Sequence, residues 1–183
     1  MEKSKTNTNI NAKVLTKIAI CIALLCVSSY ISIPIPFSPA PITAQTIIIN
    51  LIAIILLPKE AFFTMVGYIL LGICGLPVFS GGQGGIGKIL GPSGGYIIGY
   101  LIAAVIMSYI LQNKKNNIKL YLLVTILVGI PIIYLCGITT MRFYVGKGIW
   151  QIISASVIPF LPGDLCKCIV GSYLGYVLKK RLK

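Results

Sequence analysis

Long apolar segments, separated by short polar or proline- and glycine-rich ones, make up most of this chain. Their lengths are those of helices that cross a lipid bilayer, because about 20 residues of α-helix span its hydrocarbon core. The pattern predicts six membrane spans, at residues 12–33, 42–57, 61–76, 96–111, 118–137 and 164–178. The second and third are short for a bilayer, which favours a compact bundle closed on one side by loops.

The connecting segments carry their own signals. Residues 34–41 contain four prolines in eight positions and predict a stiff, extended outer loop, because proline lacks an N–H and restricts its predecessor. Residues 58–60 predict a tight inner turn, and residues 139–148 a polar outer loop. Residues 149–161 are too few to span and predict a short helix at the membrane surface.

Two prolines are expected to shape the spans. Pro131 is expected to kink the fifth span, because its ring clashes with the preceding turn of helix. Pro162 and Gly163 are expected to break the surface helix, so that the last span begins with Asp164 in its first turn. A carboxylate is favoured there by the helix dipole.

Composition supports a membrane protein. Apolar residues make up 57% of the chain and charged residues 10%, against about 45–50% and about 25% in soluble domains. We expect an all-α integral membrane protein with a polar cytoplasmic tail at residues 1–12 and a single membrane domain at 13–183. The amino terminus lacks the pattern of a cleavable signal peptide, so the first span would serve as its own insertion signal.

The charge distribution predicts orientation. The net charge is +13, and twelve of the sixteen Lys and Arg residues flank the apolar segments on what would be one side. Only Lys88, Arg142 and Lys147 fall in the opposite loops. This asymmetry places both termini in the cytoplasm and argues against nucleic acid as a partner.

The chain lacks the residues that metal binding and common enzyme mechanisms require. The chain has six Cys without CxxC spacing and no His, so neither a metal site nor another cofactor is expected. Without His or a second embedded carboxylate, a Ser–His or paired-acid mechanism cannot be assembled. We therefore expect a protein that is not an enzyme.

A glycine-rich outer loop lies between the third and fourth spans. Residues 82–87 match the dinucleotide pattern GxGxxG and, with Lys88, come near a P-loop. Ile89 stands where a P-loop needs Ser or Thr for Mg²⁺, and the run follows a membrane helix rather than a strand, so a nucleotide site is not expected. Glycines also let a backbone approach a ligand closely, and irregular backbone at a membrane is tolerated where it lines a cavity. The alternative is a flexible outer loop.

One charged pair is embedded in apolar sequence. Of the three acidic residues, Glu2, Glu60 and Asp164, only the last lies in an apolar segment. Lys167 follows three residues later and shares its helical face. A charge at membrane depth costs about 2.5–3.5 kcal/mol on insertion scales. The pair is therefore a structural ion pair, a proton relay, or a site for a polar ligand entering from outside; we favour the ligand site.

Four stretches together resemble a known family. Residues 31–36 with 41–46, residues 75–85, residues 90–96, and the run Leu161-Pro162-Gly163-Asp164-Leu165-Cys166-Lys167 are similar to BioY proteins. These are the biotin-specific S components of energy-coupling-factor (ECF) transporters. The resemblance implies six helices in a bacterial cell membrane, with an outward biotin pocket closed by the first outer loop.

The resemblance also implies partners and roles. Ala19 and Ala23, one helical turn apart, would dock against the transmembrane coupling subunit, and two ATPase subunits would supply energy. Polar contacts to the ureido ring of biotin would come from Asp164, Lys167 and Gln83. Gln83 stands where relatives carry the shorter Asn.

The residues suit this ligand chemically. A carboxylate accepts from the ureido N–H groups, and an ammonium donates to its carbonyl. The thioether ring would need apolar and aromatic walls. The candidate walls are Ile35, Phe37, Phe79 and Tyr96, and the further candidate contacts are Gln45, Gly82, Gly84 and Gly85. Charge alone suggests Lys88, Arg142 or Lys147 for the valerate carboxylate.

Alternatives to biotin uptake stay open from the residues. The same scaffold could serve as an S component for another small vitamin. Asp164 could act as the relay of a stand-alone proton-coupled carrier. A purely structural membrane subunit would bind no ligand at all.

Overall fold

The computed structural model describes residues 12–34, 41–146 and 148–181, and most of them are helical. The elements, in chain order, are α1 Ala12–Ser28, β1 Ser32–Ile33, β2 Ile42–Thr43, α2 Gln45–Ile55, α3 Pro58–Ile73, α4 Ile86–Ile89, α5 Gly94–Leu111, α6 Ile118–Val124, a π-helical turn Thr125–Gly129, α7 Ile130–Val145, α8 Ile149–Ser156 and α9 Leu161–Arg181.

Two of the described helices are long and apolar enough to cross a membrane on their own. They are Gly94–Leu111 and the continuous helix Ile118–Tyr144, which joins α6, the π-helical turn and α7. The helix α2, Gln45–Ile55, is apolar but shorter.

Close packing of α2, α5, α7 and α9 forms the centre of the bundle. Small residues permit the approach: a Cβ added to Gly99 of α5 would lie 3.1 Å from the Ile133 Cα of α7. A Cβ added to Gly171 of α9 would lie 3.0 Å from the Ile47 carbonyl oxygen of α2. Backbones that pack this closely bring the amino-terminal ends of α2 and α9 together. The helix α1 packs on the outside, against α3 and α2.

A two-stranded hairpin follows α1. Ser32 pairs with Thr43 and Ile33 with Ile42, in antiparallel register. The predicted first span to residue 33 and second span from residue 42 are therefore too long, since both ends belong to strands. Ile33 precedes a proline and so favours extended backbone, and pairing of the two strands satisfies their N–H and C=O groups.

The fifth predicted span is too short, and the predicted polar loop at 139–148 is wrong over most of its length. The helix continues to Val145, and it accommodates Thr139 and Thr140 because their hydroxyls donate back to the Leu135 and Cys136 carbonyls, at 2.7 and 3.2 Å. The helix ends where Gly146 adopts φ 62°, the left-handed conformation of a helix cap.

Three prolines sit at helix starts or beside an irregular turn. Pro58 begins α3 rather than forming a separate turn, and the Glu60 carboxylate accepts from the Leu57 N–H at 3.0 Å. Pro162 lies inside the first turn of α9, where its missing N–H costs nothing, so the predicted break falls earlier, at residues 157–160. The π-helical turn ends at Gly129, two positions before Pro131, the site of the predicted kink.

Candidate functional site

A cavity lies at the end of the bundle where α2, α5 and α9 begin, between these helices, α7 and the hairpin. Its empty space, counted out to the solvent at its open mouth, is about 540 Å³. Its lining residues are Pro41, Ile42, Thr43, Gln45, Thr46, Ser80, Ser93, Tyr96, Ile97, Tyr100, Ile133, Tyr134, Phe160, Asp164 and Lys167.

The embedded charges meet in this cavity. Lys167 donates from Nζ to Asp164 Oδ1 at 2.9 Å, and both side chains are nearly buried, at 13% and 12% exposure. Tyr134, from α7, donates its hydroxyl to Asp164 Oδ2 at 2.7 Å. Both carboxylate oxygens therefore have a donor before any ligand arrives. Asp164 also lies in the first turn of α9, as predicted, where the helix dipole favours the carboxylate.

Tyr134 explains how an acidic residue is tolerated here. A nearly buried ion pair is favourable only when further hydrogen bonds satisfy its remaining atoms. The tyrosine hydroxyl supplies such a bond from a helix thirty positions earlier in the chain. Among the described residues that line the cavity, Lys167 is the only cation.

Aromatic side chains form much of the remaining wall. Tyr96 and Tyr100 lie one turn apart on α5, and Phe160 precedes α9. Sequence reasoning selected Tyr96 but missed Tyr100, Tyr134 and Phe160. The spacing of Tyr96 and Tyr100 is a usable signal, because residues four apart share a helical face. Tyr134 offered only the weaker signal of a hydroxyl inside an apolar segment, which needs a partner.

Gln45 lines the cavity with its amide already engaged by protein groups. Its Nε2 donates to the Tyr68 hydroxyl at 2.5 Å, and its Oε1 accepts from Thr43 at 3.3 Å. Tyr68 in turn donates to the Val78 carbonyl at 2.9 Å. This chain of bonds ties α2 and the hairpin to α3 and the loop that follows it.

The structure does not bring Phe79 and Gln83 to the cavity. Phe79 is fully buried and packs edge-on against Tyr68, with ring centroids 5.6 Å apart. Gln83 is exposed, and its Oε1 accepts from Lys88 Nζ at 2.7 Å. Partial burial lowers the pKa of the Lys88 ammonium.

The predicted loop glycines pack against α3, the residues directly after it, and Tyr30, instead of lining the cavity. Gly85 donates to the Gly72 carbonyl at 2.7 Å, and a Cβ on Gly84 would lie 2.4 Å from the Leu76 carbonyl oxygen. Gly82 has φ 68° and lies under the Tyr30 ring. Of residues 79–85, only Ser80 lines the cavity. The glycines are thus explained by tight turns and close backbone packing.

The other predicted residues lie elsewhere. Ala19 and Ala23 are exposed on α1, whose buried face carries Cys21 and Leu25. Arg142 is exposed on α7 outside the cavity. The predictions for Ile35, Phe37 and Lys147 fall outside the described residues.

A helical bundle with apolar outer faces, and with a cavity that combines aromatic walls and an engaged Asp–Lys–Tyr cluster, is typical of a membrane protein that binds a small polar molecule. Comparison with known proteins makes this specific. The chain belongs to the BioY family, whose sequence pattern matches residues 2–183.

Its relatives cover nearly the whole chain. The biotin transporter BioY of Thermotoga maritima is 37% identical over 91% of this chain and 95% of its own. A probable biotin transporter BioY of Bacillus subtilis is 35% identical over 90% and 89%. The crystal structure of the S component for biotin from an ECF-type ABC transporter superposes with a TM-score of 0.87, at 30% identity, and covers 94% of both chains.

Proposed function

We propose that this chain is the membrane subunit that binds biotin for uptake and delivers it inward together with an ATP-driven ECF module. The observation that carries the proposal is the Asp164–Lys167–Tyr134 cluster in the cavity. The family supports it, since the relatives compared are biotin transporters and not enzymes.

The cluster matches the ureido group of biotin. Ureido has two N–H donors and one carbonyl acceptor, while Asp164 accepts and Lys167 donates. Tyr134 donates to Oδ2 of the carboxylate, and both residues line the cavity. The apolar rings of biotin would pack on Tyr96, Phe160 and Ile133.

The membrane arrangement follows from helix order and charge. Six crossings are supported by α1, α2, α3, α5, the continuous α6–α7 helix and α9. With both termini in the cytoplasm, the cavity faces outward and the basic residues at the end of α9 face inward. We place the protein in the bacterial cell membrane, embedded in the lipid bilayer.

Replacing Asp164 with Asn tests the ligand site. We expect biotin affinity in isothermal titration calorimetry to fall about 10- to 100-fold, because a charged hydrogen bond contributes about 1.5–3 kcal/mol. Glu60→Gln is the matched control: it removes the other described carboxylate, and Gln can still cap α3. Unchanged biotin binding by a folded Asp164→Asn protein would exclude this role.

The same titration, together with an uptake assay, separates the alternatives. Binding of another vitamin in preference to biotin would indicate a different S component. Uptake into vesicles that lack ATPase subunits, driven only by a pH gradient, would indicate a proton-coupled carrier. Absence of any ligand binding by the wild-type chain would indicate a structural subunit.

The docking role of α1 has its own test. Ala19 and Ala23 leave a shallow, exposed surface that another helix can approach closely. We expect Ala23→Trp to abolish co-purification with the coupling and ATPase subunits while biotin affinity stays unchanged. Leu174→Trp, on the exposed face of α9, is the control for bulk at a lipid-facing position. Full assembly of the Ala23→Trp protein would contradict the docking role.

A further inference from the structure

We propose that a groove between α7 and α8 binds one anionic phospholipid, with its phosphate on Arg142 and an acyl chain along the apolar floor. The groove is separate from the cavity and shares none of its lining residues. It is lined by Leu135, Ile138, Thr139, Arg142, Phe143 and Ile149.

The helical register builds the groove. Leu135, Ile138, Thr139 and Arg142 follow an i, i+3, i+4, i+7 spacing and so lie on one face of α7. Ile149, at the start of α8, forms the facing wall. Leu135 is 66% exposed, as expected of a side chain that contacts lipid in a membrane protein. The floor is therefore apolar, and the cation lies in the last turn of the helix.

Among the described residues, no carboxylate is paired with Arg142. The described carboxylates are both engaged elsewhere: Glu60 accepts from the Leu57 N–H, and Asp164 is held by Lys167 and Tyr134. A guanidinium offers a planar pair of donors that matches a phosphate. Charge complementarity thus favours a lipid whose headgroup carries net negative charge.

Exposed aromatic residues place Arg142 at headgroup depth. Phe143 and Trp150 are 84% and 77% exposed, and Tyr144 is also exposed while donating its hydroxyl to the Leu90 carbonyl. Trp and Tyr concentrate at membrane–water interfaces, because their rings are apolar while the N–H or O–H group at the ring edge can reach water. The headgroup contact and the apolar groove are therefore at adjoining depths, as one lipid molecule requires.

Native mass spectrometry of the full-length chain in detergent tests the site. The protein is titrated separately with palmitoyl-oleoyl phosphatidylglycerol and with phosphatidylcholine of the same acyl chains. We expect the wild type to retain one phosphatidylglycerol at least fivefold more tightly than phosphatidylcholine. Arg142→Gln should reduce this preference to less than twofold, and Lys114→Gln, which removes an exposed charge elsewhere, should leave it unchanged.

Two results would overturn the proposal: equal retention of both lipids by the wild type, or an unaltered preference in Arg142→Gln. Size-exclusion chromatography and the melting temperature of the same samples show, independently of biotin, that each variant is folded. Because lipid retention does not depend on biotin, failure of the lipid site and failure of the proposed function are distinguished.

Discussion

Two regions of the chain carry sequence signals that suggest a ligand site, and they have different outcomes. The first turn of α9 carries an embedded ion pair, and this pair lines the cavity. The loop after α3 carries a run of glycines, and its glycines pack against α3 and Tyr30. Burying a charge at membrane depth costs free energy, so a charged residue found there often serves a function. Glycine is equally needed for tight packing, so it does not discriminate.

Gly84→Ala should produce the largest effect on this comparison. The added Cβ would lie 2.4 Å from the Leu76 carbonyl oxygen and 2.8 Å from that of Gly75, and neither backbone atom can move cheaply. We expect a loss of about 1–3 kcal/mol of stability, seen as a lower melting temperature. The remaining folded protein should bind biotin with wild-type affinity.

Gly87→Ala is the matched control for that variant. A Cβ at Gly87 meets no atom within 4 Å, so the melting temperature of this variant should not fall. A Gly84→Ala protein with normal stability but weakened biotin binding would mean that the loop backbone contacts the ligand.

Tyr134→Phe should produce a smaller and more specific effect. Loss of its bond to Asp164 Oδ2 should weaken biotin binding about 3- to 10-fold, because the bond positions the carboxylate and only part of the roughly 1.5–3 kcal/mol of a hydrogen bond to a charged group acts on the ligand. Tyr109→Phe, at an exposed position on α5, should not change the affinity.

Combining Tyr134→Phe with Asp164→Asn shows whether the tyrosine acts through the carboxylate. We expect the two losses to be less than additive, since both remove the same interaction. Strictly additive losses in calorimetry would indicate that Tyr134 contacts biotin independently of Asp164.

Gln83→Ala should produce the smallest effect. Its amide pairs with Lys88 at an exposed position, and exposed polar pairs contribute little. We expect biotin affinity to change by less than about twofold. A tenfold loss would show that biotin draws this loop inward, and it would restore the ureido contact that the family resemblance implies.

Local rules predicted much of the fold. Segment lengths and apolar content predicted helices in nearly the right places, because a helix in an apolar environment satisfies its own backbone. The errors fall at the ends of elements: α7 accommodates Thr hydroxyls that bond back to its own carbonyls, and Pro162 is accepted at a helix start. Where a helix ends depends on the local geometry of single residues, and the pattern of apolar positions carries no information about that geometry.

The candidate site was likewise predicted only in part from the sequence. By itself the sequence determined that Asp164 and Lys167 share a face, since residues three positions apart lie on the same side of any α-helix. Only the tertiary structure decided that Tyr134 completes the cluster, that Phe79 belongs to the core, and that Gln83 faces outward. Such contacts join residues distant in the chain, and they depend on how closely small residues such as Gly99 and Gly171 let the helices pack.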